Sequence, residues 1–159
     1  MARDTGYVSG TPPRFTKIEN FLAGGTFTPP AGVTYAIAHM KGGGGGSGNG
    51  SSTSGGVSSV AFAAGTVSAA GGAANTASGL GVSGVVPAVN SGRGATGGYQ
   101  YNISAVQLGA PFATDAAEIV AGGVVVPGTG ITVTVGAGGT GSSGVNGGTG
   151  YVYIEYESY

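Results

Sequence analysis

Residues 42–56 hold nine glycines in 15 positions, beginning with the unbroken run Gly42–Gly46, and residues 136–150 hold eight in 15. Ordinary side-chain packing cannot bury such stretches. They either stay mobile, as a linker would, or pack backbone against backbone. In the second tract Gly138, Gly141, Gly144, Gly147 and Gly150 fall at a strict period of three. A polyproline-II helix has three residues per turn, so these glycines would line one edge of it, and about 12 residues at ~3.1 Å rise would form a rod of roughly 37 Å. A linker has no reason to keep that period, and a run of four triplets without Pro is a poor collagen. Because such a rod has no internal amide ladder, its N–H and C=O groups must find neighbouring rods. The tract at 42–56 supplies one, and residues 71–84 and 92–98 are shorter candidates for the same layer.

The remaining composition narrows function by exclusion. Of 159 residues 37 are Gly, against a usual ~7%, and Gly, Ala, Ser and Thr together fill 90 positions. The net charge is only −1, so the disorder recipe of low hydrophobicity with high net charge is not met. Five Lys and Arg leave no electrostatic footprint for nucleic acid or an anionic membrane. One His and no Cys leave almost nothing from which to build a metal or thiol site, and no cofactor is expected. The segment Met1–Thr5 lacks the apolar core of a signal peptide, and no stretch approaches the ~20 apolar residues of a spanning helix. The expectation is a soluble, non-enzymatic protein made in a cytoplasm, without membrane insertion.

Strand signals concentrate in a few places. Thr26-Phe27-Thr28 precedes the turn Pro29-Pro30-Ala31-Gly32, and in Val33–Met40 the set Val33, Tyr35, Ile37, His39 alternates with Thr34, Ala36, Ala38, Met40. Ile131–Val135 follows the turn Pro127-Gly128-Thr129-Gly130, and Tyr151–Glu157 places Val152, Ile154 and Tyr156 on one face. Residues 57–67 and 122–126 are weaker candidates. Thr114–Val120 offers one or two helical turns, capped by Thr114 or Asp115 with Glu118 reaching back. The class predicted is all-β, a small sandwich with glycine-rich loops, polyglycine-II packed in part, and little or no helix. Residues 1–25 are unlike the rest and read as a disordered leader or an attachment arm, with Arg14, Phe15 and Lys17 as docking residues; residues 26–159 form the glycine-rich β domain.

Several motifs imitate chemistry. Gly139-Thr140-Gly141-Ser142-Ser143-Gly144 matches the dinucleotide fingerprint, but the glycine-rich run after it cannot supply the helix that receives a pyrophosphate. Asp4-Thr5-Gly6 matches the aspartic-protease tripeptide with no strand before it to hold the loop, and Asp115 with Glu118 reads as capping. His39, alone of its type, reads as a surface or cap residue. Tyrosine favours interfaces. Tyr99 and Tyr101, with Arg93 on the preceding loop, are the candidate partner-contact surface, whereas the tyrosines of the last strand read as sheet packing.

The order Thr26–Thr34, a strand, Gly42–Gly46, then Pro127–Gly139 and finally Gly147–Tyr156 resembles the glycine-rich domain of bacteriophage tail fibres and related virion proteins. Ser58-Ser59-Val60-Ala61-Phe62 is similar to that family's central Ser-Ser-x-x-Phe segment. The resemblance spans roughly residues 24–157, departs from the pattern in a Val- and Ala-rich insertion at 80–126, and offers no counterpart to a fibre shaft. It implies a β-sandwich from which glycine-rich loops protrude, in a homotrimer exposed on the virion surface. Its partners would be itself, other virion structural proteins and a host cell-surface receptor. The expected job is host attachment, as a tail-fibre or adhesin component. A capsid decoration or head-fibre protein is the alternative, and an ice-binding or matrix-type protein a further one, which would present regular ranks of Thr or Ala on a flat face.

Overall fold

The computed structural model describes residues 14–47, 52–74, 92, 113–141 and 146–158. Eight strands run in chain order: β1 (Phe15–Phe21), β2 (Gly25–Phe27), β3 (Tyr35–Lys41), β4 (Ser58–Phe62), β5 (Gly65–Ala69), β6 (Glu118–Val124), β7 (Ile131–Thr134) and β8 (Tyr151–Ser158). They form two antiparallel four-stranded sheets, β1-β8-β3-β6 and β2-β7-β4-β5. Alternation decides what lies between them. From β3 it is Ala36, Ala38 and Met40 that turn inward, and they meet Val152 and Ile154 of β8, Val60 and Phe62 of β4, Val133 of β7 and Phe27 of β2 in one cluster. The all-β sandwich predicted from the sequence is what the chain forms, and no helix occurs among the described residues.

Turn chemistry fixes the pole where β3 begins. In Pro30-Ala31-Gly32-Val33 the Val33 amide donates to the Pro30 carbonyl at 3.1 Å, with Gly32 at φ 84°. In Val126-Pro127-Gly128-Thr129 the Thr129 amide donates to Val126 at 3.0 Å, with Gly128 at φ 75°. Both have the type II arrangement that demands glycine at the third position. A further bond, Gly128 amide to Pro29 carbonyl at 2.8 Å, ties the two turns together.

At the opposite pole six strands continue as extended segments, most of them rich in glycine and 113–117 in alanine. β3 leads into 42–46, β5 into 70–74 and β7 into 136–141; residues 52–57, 113–117 and 146–150 lead into β4, β6 and β8. All five residues of Gly42–Gly46 are buried, and their amides fan out with a period of three. Gly42 and Gly45 donate to Ala117 and Thr114, Gly43 and Gly46 to Gly56 and Thr53, and Gly44 to Gly148, at 2.8 to 3.3 Å. That is the three-residue turn of a polyproline-II rod. Around this central rod the others close a ring. Gly55 bonds Gly72, Thr114 bonds Ala73, Ala116 bonds Gly92, Gly92 bonds Thr149, Gly147 bonds Gly139, and Thr53 bonds Thr140. Buried amides thus find the partners that a lone rod lacks.

Glycine is needed here for approach and not for a left-handed backbone. A Cβ on Gly43 would sit inside the Ala137 carbonyl, and one on Gly46 inside that of Thr140. Neither residue has a positive φ.

Three sequence expectations need correction. The period-three run is not one rod of about 12 residues. It doubles back, 136–141 lying antiparallel to 146–150 through Gly147 amide to Gly139 carbonyl and Gly150 amide to Gly136 carbonyl, both 2.8 Å. Thr114–Val120 is not helical: 113–117 is a rod and Glu118 opens β6. The segment 1–25 is not wholly an arm apart, because Phe15–Phe21 pairs with β8 along its full length, from Phe15↔Ser158 to Phe21↔Val152. Gly25 pairs with Val133 in the second sheet.

Candidate functional site

Outward positions on the rods carry the side chains that the inward ones cannot. In 136–141 Gly136 and Gly139 are buried, whereas Ala137 and Thr140 are exposed; in 70–74 Gly72 is buried and Ala70 and Ala73 exposed. Ala113 and Ala116 turn inward on 113–117, leaving Thr114 and Ala117 outside. Several outward side-chain oxygens brace the bundle. Thr114 Oγ1 accepts the Ala73 amide at 2.7 Å, Thr53 Oγ1 accepts the Thr140 amide at 2.8 Å, and Asn146 Oδ1 accepts the Gly141 amide at 3.0 Å. Each of three long connections, β3 to β4, β5 to β6 and β7 to β8, thus leaves and returns at one pole through hydrogen-bonded segments.

Where the rods join the sandwich, Ser58 is fully buried. Its hydroxyl donates to the Lys41 carbonyl at 2.7 Å and accepts the Gly136 amide at 2.9 Å. One side chain therefore joins the ends of β3, β4 and β7 as they become rods.

The period-three glycines take distinct places. A Cβ on Gly138 would collide with the Gly147 carbonyl, one on Gly147 with that of Gly44, and one on Gly150 with that of Lys41. Gly141 ends its rod on the Asn146 side chain, and Gly144 lies outside the described residues. So do Arg93, Tyr99, Tyr101 and the Asp4-Thr5-Gly6 tripeptide. Arg14 is ion-paired with Glu157 at 2.9 Å, both well exposed, and Phe15 and Lys17 sit beside it on the edge strand β1. Arg14 thus shares the outer face with Glu157, whereas Phe15 and Lys17 take register positions on the opposite face, so the three candidate docking residues share an edge but not a surface.

The outer face of the β1-β8-β3-β6 sheet gathers the polar and aromatic residues of β3 and β8. His39 stacks on Tyr153 with ring centroids 4.3 Å apart, and its Nε2 lies 3.5 Å from a Glu155 oxygen. It is thus a mid-sheet residue and not a cap. Tyr151 continues the stack and donates to Glu118 at 3.3 Å. Partial burial raises the Tyr151 pKa above the ordinary tyrosine value, and the Glu118 carboxylate raises it further by charge and by accepting the hydroxyl proton. Extended backbone separates Asp115 on a rod from Glu118 on β6, and Glu118 is engaged by Tyr151. Among the described residues no three His, Asp or Glu gather as metal ligands would.

A hydrogen-bonded rod bundle is one side of this arrangement and an aromatic, charge-paired sheet face the other. No protein-family profile, no curated protein and no solved structure matches the chain.

Proposed function

We propose that the chain is a non-enzymatic structural protein of a bacteriophage particle, exposed on the virion as a homotrimer and serving host attachment as a tail-fibre or adhesin component. The observation that carries this reading is the seven-membered backbone-packed bundle, in which Gly42–Gly46 are surrounded by 52–57, 70–74, 113–117, Gly92, 146–150 and 136–141. Such a bundle gathers the ends of three chain connections at one pole of a small sandwich without needing a hydrophobic core of its own. The motifs at both ends of the domain, with their likeness to virion glycine-rich domains, supply the setting. Labelling purified particles with an antibody against this chain tests it. Signal on the tail is the expected outcome, signal on the head alone replaces attachment with decoration, and no signal on any particle overturns the virion reading. Light scattering of the purified protein is expected to give three times the 15.0 kDa chain mass.

A second reading draws on the same rods. Ala70 and Ala73 lie beside Ala117 and Thr114 on adjacent rods, all four exposed, so residues scattered in the sequence become ranks. Ice binding would use such ranks, and thermal hysteresis in a monomeric preparation would favour it.

A further inference from the structure

Asn146 and Gly147 form a pair whose chemistry the fold restrains. The side-chain carbonyl carbon of an Asn can be attacked by the backbone nitrogen of the next residue, which closes a five-membered succinimide and expels ammonia. Glycine in that next position hinders the closure least, because it has no Cβ and the widest backbone freedom. The chain holds two such pairs, Asn49-Gly50 and Asn146-Gly147, of which the first lies outside the described residues.

At Asn146 both reacting groups are tied to the same neighbouring arm, 136–141. The nucleophile is engaged, because the Gly147 amide donates to the Gly139 carbonyl at 2.8 Å. So is the electrophile, because Asn146 Oδ1 accepts the Gly141 amide at 3.0 Å. Ring closure requires the Gly147 nitrogen to lose its proton and the Asn146 side chain to swing from Gly141 towards its own backbone, so neither bond survives it. The Gly148 carbonyl adds a third tie, accepting the Gly44 amide at 2.8 Å. Burial gives no comparable protection. Asn146 is exposed and Gly147 only partly buried, so water and hydroxide reach the pair. Lifting 146–150 away from 136–141 breaks both bonds and frees both groups together.

We propose that Asn146-Gly147 is a spontaneous deamidation site that the hydrogen bonds between these two arms hold shut. In the opened state hydroxide takes the Gly147 amide proton, the nitrogen bonds to Asn146 Cγ, and the side-chain nitrogen takes a proton from water and leaves as ammonia. Water then adds to one of the two imide carbonyls, and the C–N bond there breaks to give aspartate or isoaspartate. Aspartate keeps the backbone length and still offers an oxygen to the Gly141 amide. Isoaspartate routes the main chain through the former side chain and adds one carbon between residues 146 and 147. Gly147 lies against the Gly44 carbonyl with no room even for a Cβ, so the lengthened arm no longer fits its bonds to both Gly139 and Gly44. An opening that lasts long enough for ring closure thus becomes permanent.

Incubating the full chain at mildly alkaline pH and mapping its peptides by mass spectrometry measures aspartate and isoaspartate at residue 146. In the chain unfolded by guanidinium chloride, Asn146 should convert as fast as Asn49, the internal reference. In the native chain its conversion should be at least about tenfold slower than in the unfolded one, since only the locally opened fraction reacts. Gly141→Pro removes the donor to Asn146 Oδ1 while suiting an extended backbone, and should speed native conversion about fivefold, the worth of one such hydrogen bond. Low concentrations of guanidinium chloride give a test that needs no variant: conversion at Asn146 and hydrogen exchange of the Gly147 amide should quicken by the same factor. The proposal is overturned if native and unfolded chains convert Asn146 equally fast, if the unfolded chain leaves Asn146 intact while Asn49 converts, or if Gly147 exchange quickens and conversion does not.

Discussion

In the sandwich, Phe27, Met40 and Ile154 are buried to 0% exposure behind large side chains; in the rod bundle Gly42–Gly46 are buried with no side chains at all. The first region excludes water with apolar surface, at roughly 25 cal/mol per Å². The second gains little of that. Its cohesion comes from amide hydrogen bonds, worth about 1 kcal/mol net each, and from close contact between backbones. Side-chain cores tolerate volume-conserving exchanges, whereas at Gly43 or Gly46 even a methyl group has nowhere to go.

The largest effect expected from this difference is on replacing Gly43 by Val. The new side chain must displace the Ala137 backbone, so hydrogen-exchange protection should vanish across the rods while the sandwich strands keep theirs. Phe27→Ala, by contrast, should cost roughly 3–5 kcal/mol and lower protection in both regions, because the rods are aligned by the strands they continue. Equal loss everywhere from Gly43→Val would show instead that the two regions unfold as one. Gly128→Ala supplies the control, since Gly128 has open space and only its positive φ to defend; about 1–2 kcal/mol is expected.

A smaller effect is expected at the junction. Ser58→Ala removes a donor from the Lys41 carbonyl and an acceptor from the Gly136 amide, and stranding buried groups costs about 1–3 kcal/mol. Denaturant unfolding measures the loss, and exchange should quicken first at Gly136. An unchanged unfolding midpoint would mean that the two regions are coupled without this hydroxyl.

The smallest concerns Tyr151, which follows directly on a rod. Its pKa is raised in the folded state, so the stability it contributes is fully present below the unfolded value of about 10 and is lost as pH rises through the higher folded value. Denaturant unfolding over that alkaline range should fall more steeply for the native chain than for Tyr151→Phe, and Glu118→Gln should reduce the difference. Parallel curves for native and Tyr151→Phe chains would refute the shift.

Legibility in the sequence followed the range of the interactions involved. The two type II turns are local chemistry, and both could be read from Pro and Gly alone. β3, β7 and β8 alternate strictly, so they too were visible. β1 was not, because Lys17 and Glu19 take core-side register positions at a sheet edge, opposite Tyr156 and Ile154, and their charge hides the pattern. The false helix has a sharper cause. It rested on a capping pattern, Thr114 or Asp115 with Glu118, but the Thr114 hydroxyl accepts the Ala73 amide of a neighbouring rod and Glu118 opens β6 against Tyr151, partners distant in sequence. In the candidate sites the period-three glycines pointed to rods, yet nothing in their spacing revealed the reversal after Gly141. The contacts on the outer sheet face were invisible for a related reason: Tyr35 meets Gly122, and Arg14 meets Glu157, only after strands distant in sequence have paired.

The threefold fan of amides from Gly42–Gly46 gives the bundle a unit of length. Three residues added to an outgoing arm and three to its return would restore every bond and carry the tip about 9 Å farther out. A single added residue would turn each edge by about 120°, swinging glycine away from its neighbour and a side chain into its place. Loop length in this protein is therefore quantised, and reach from the sandwich can change only in whole steps.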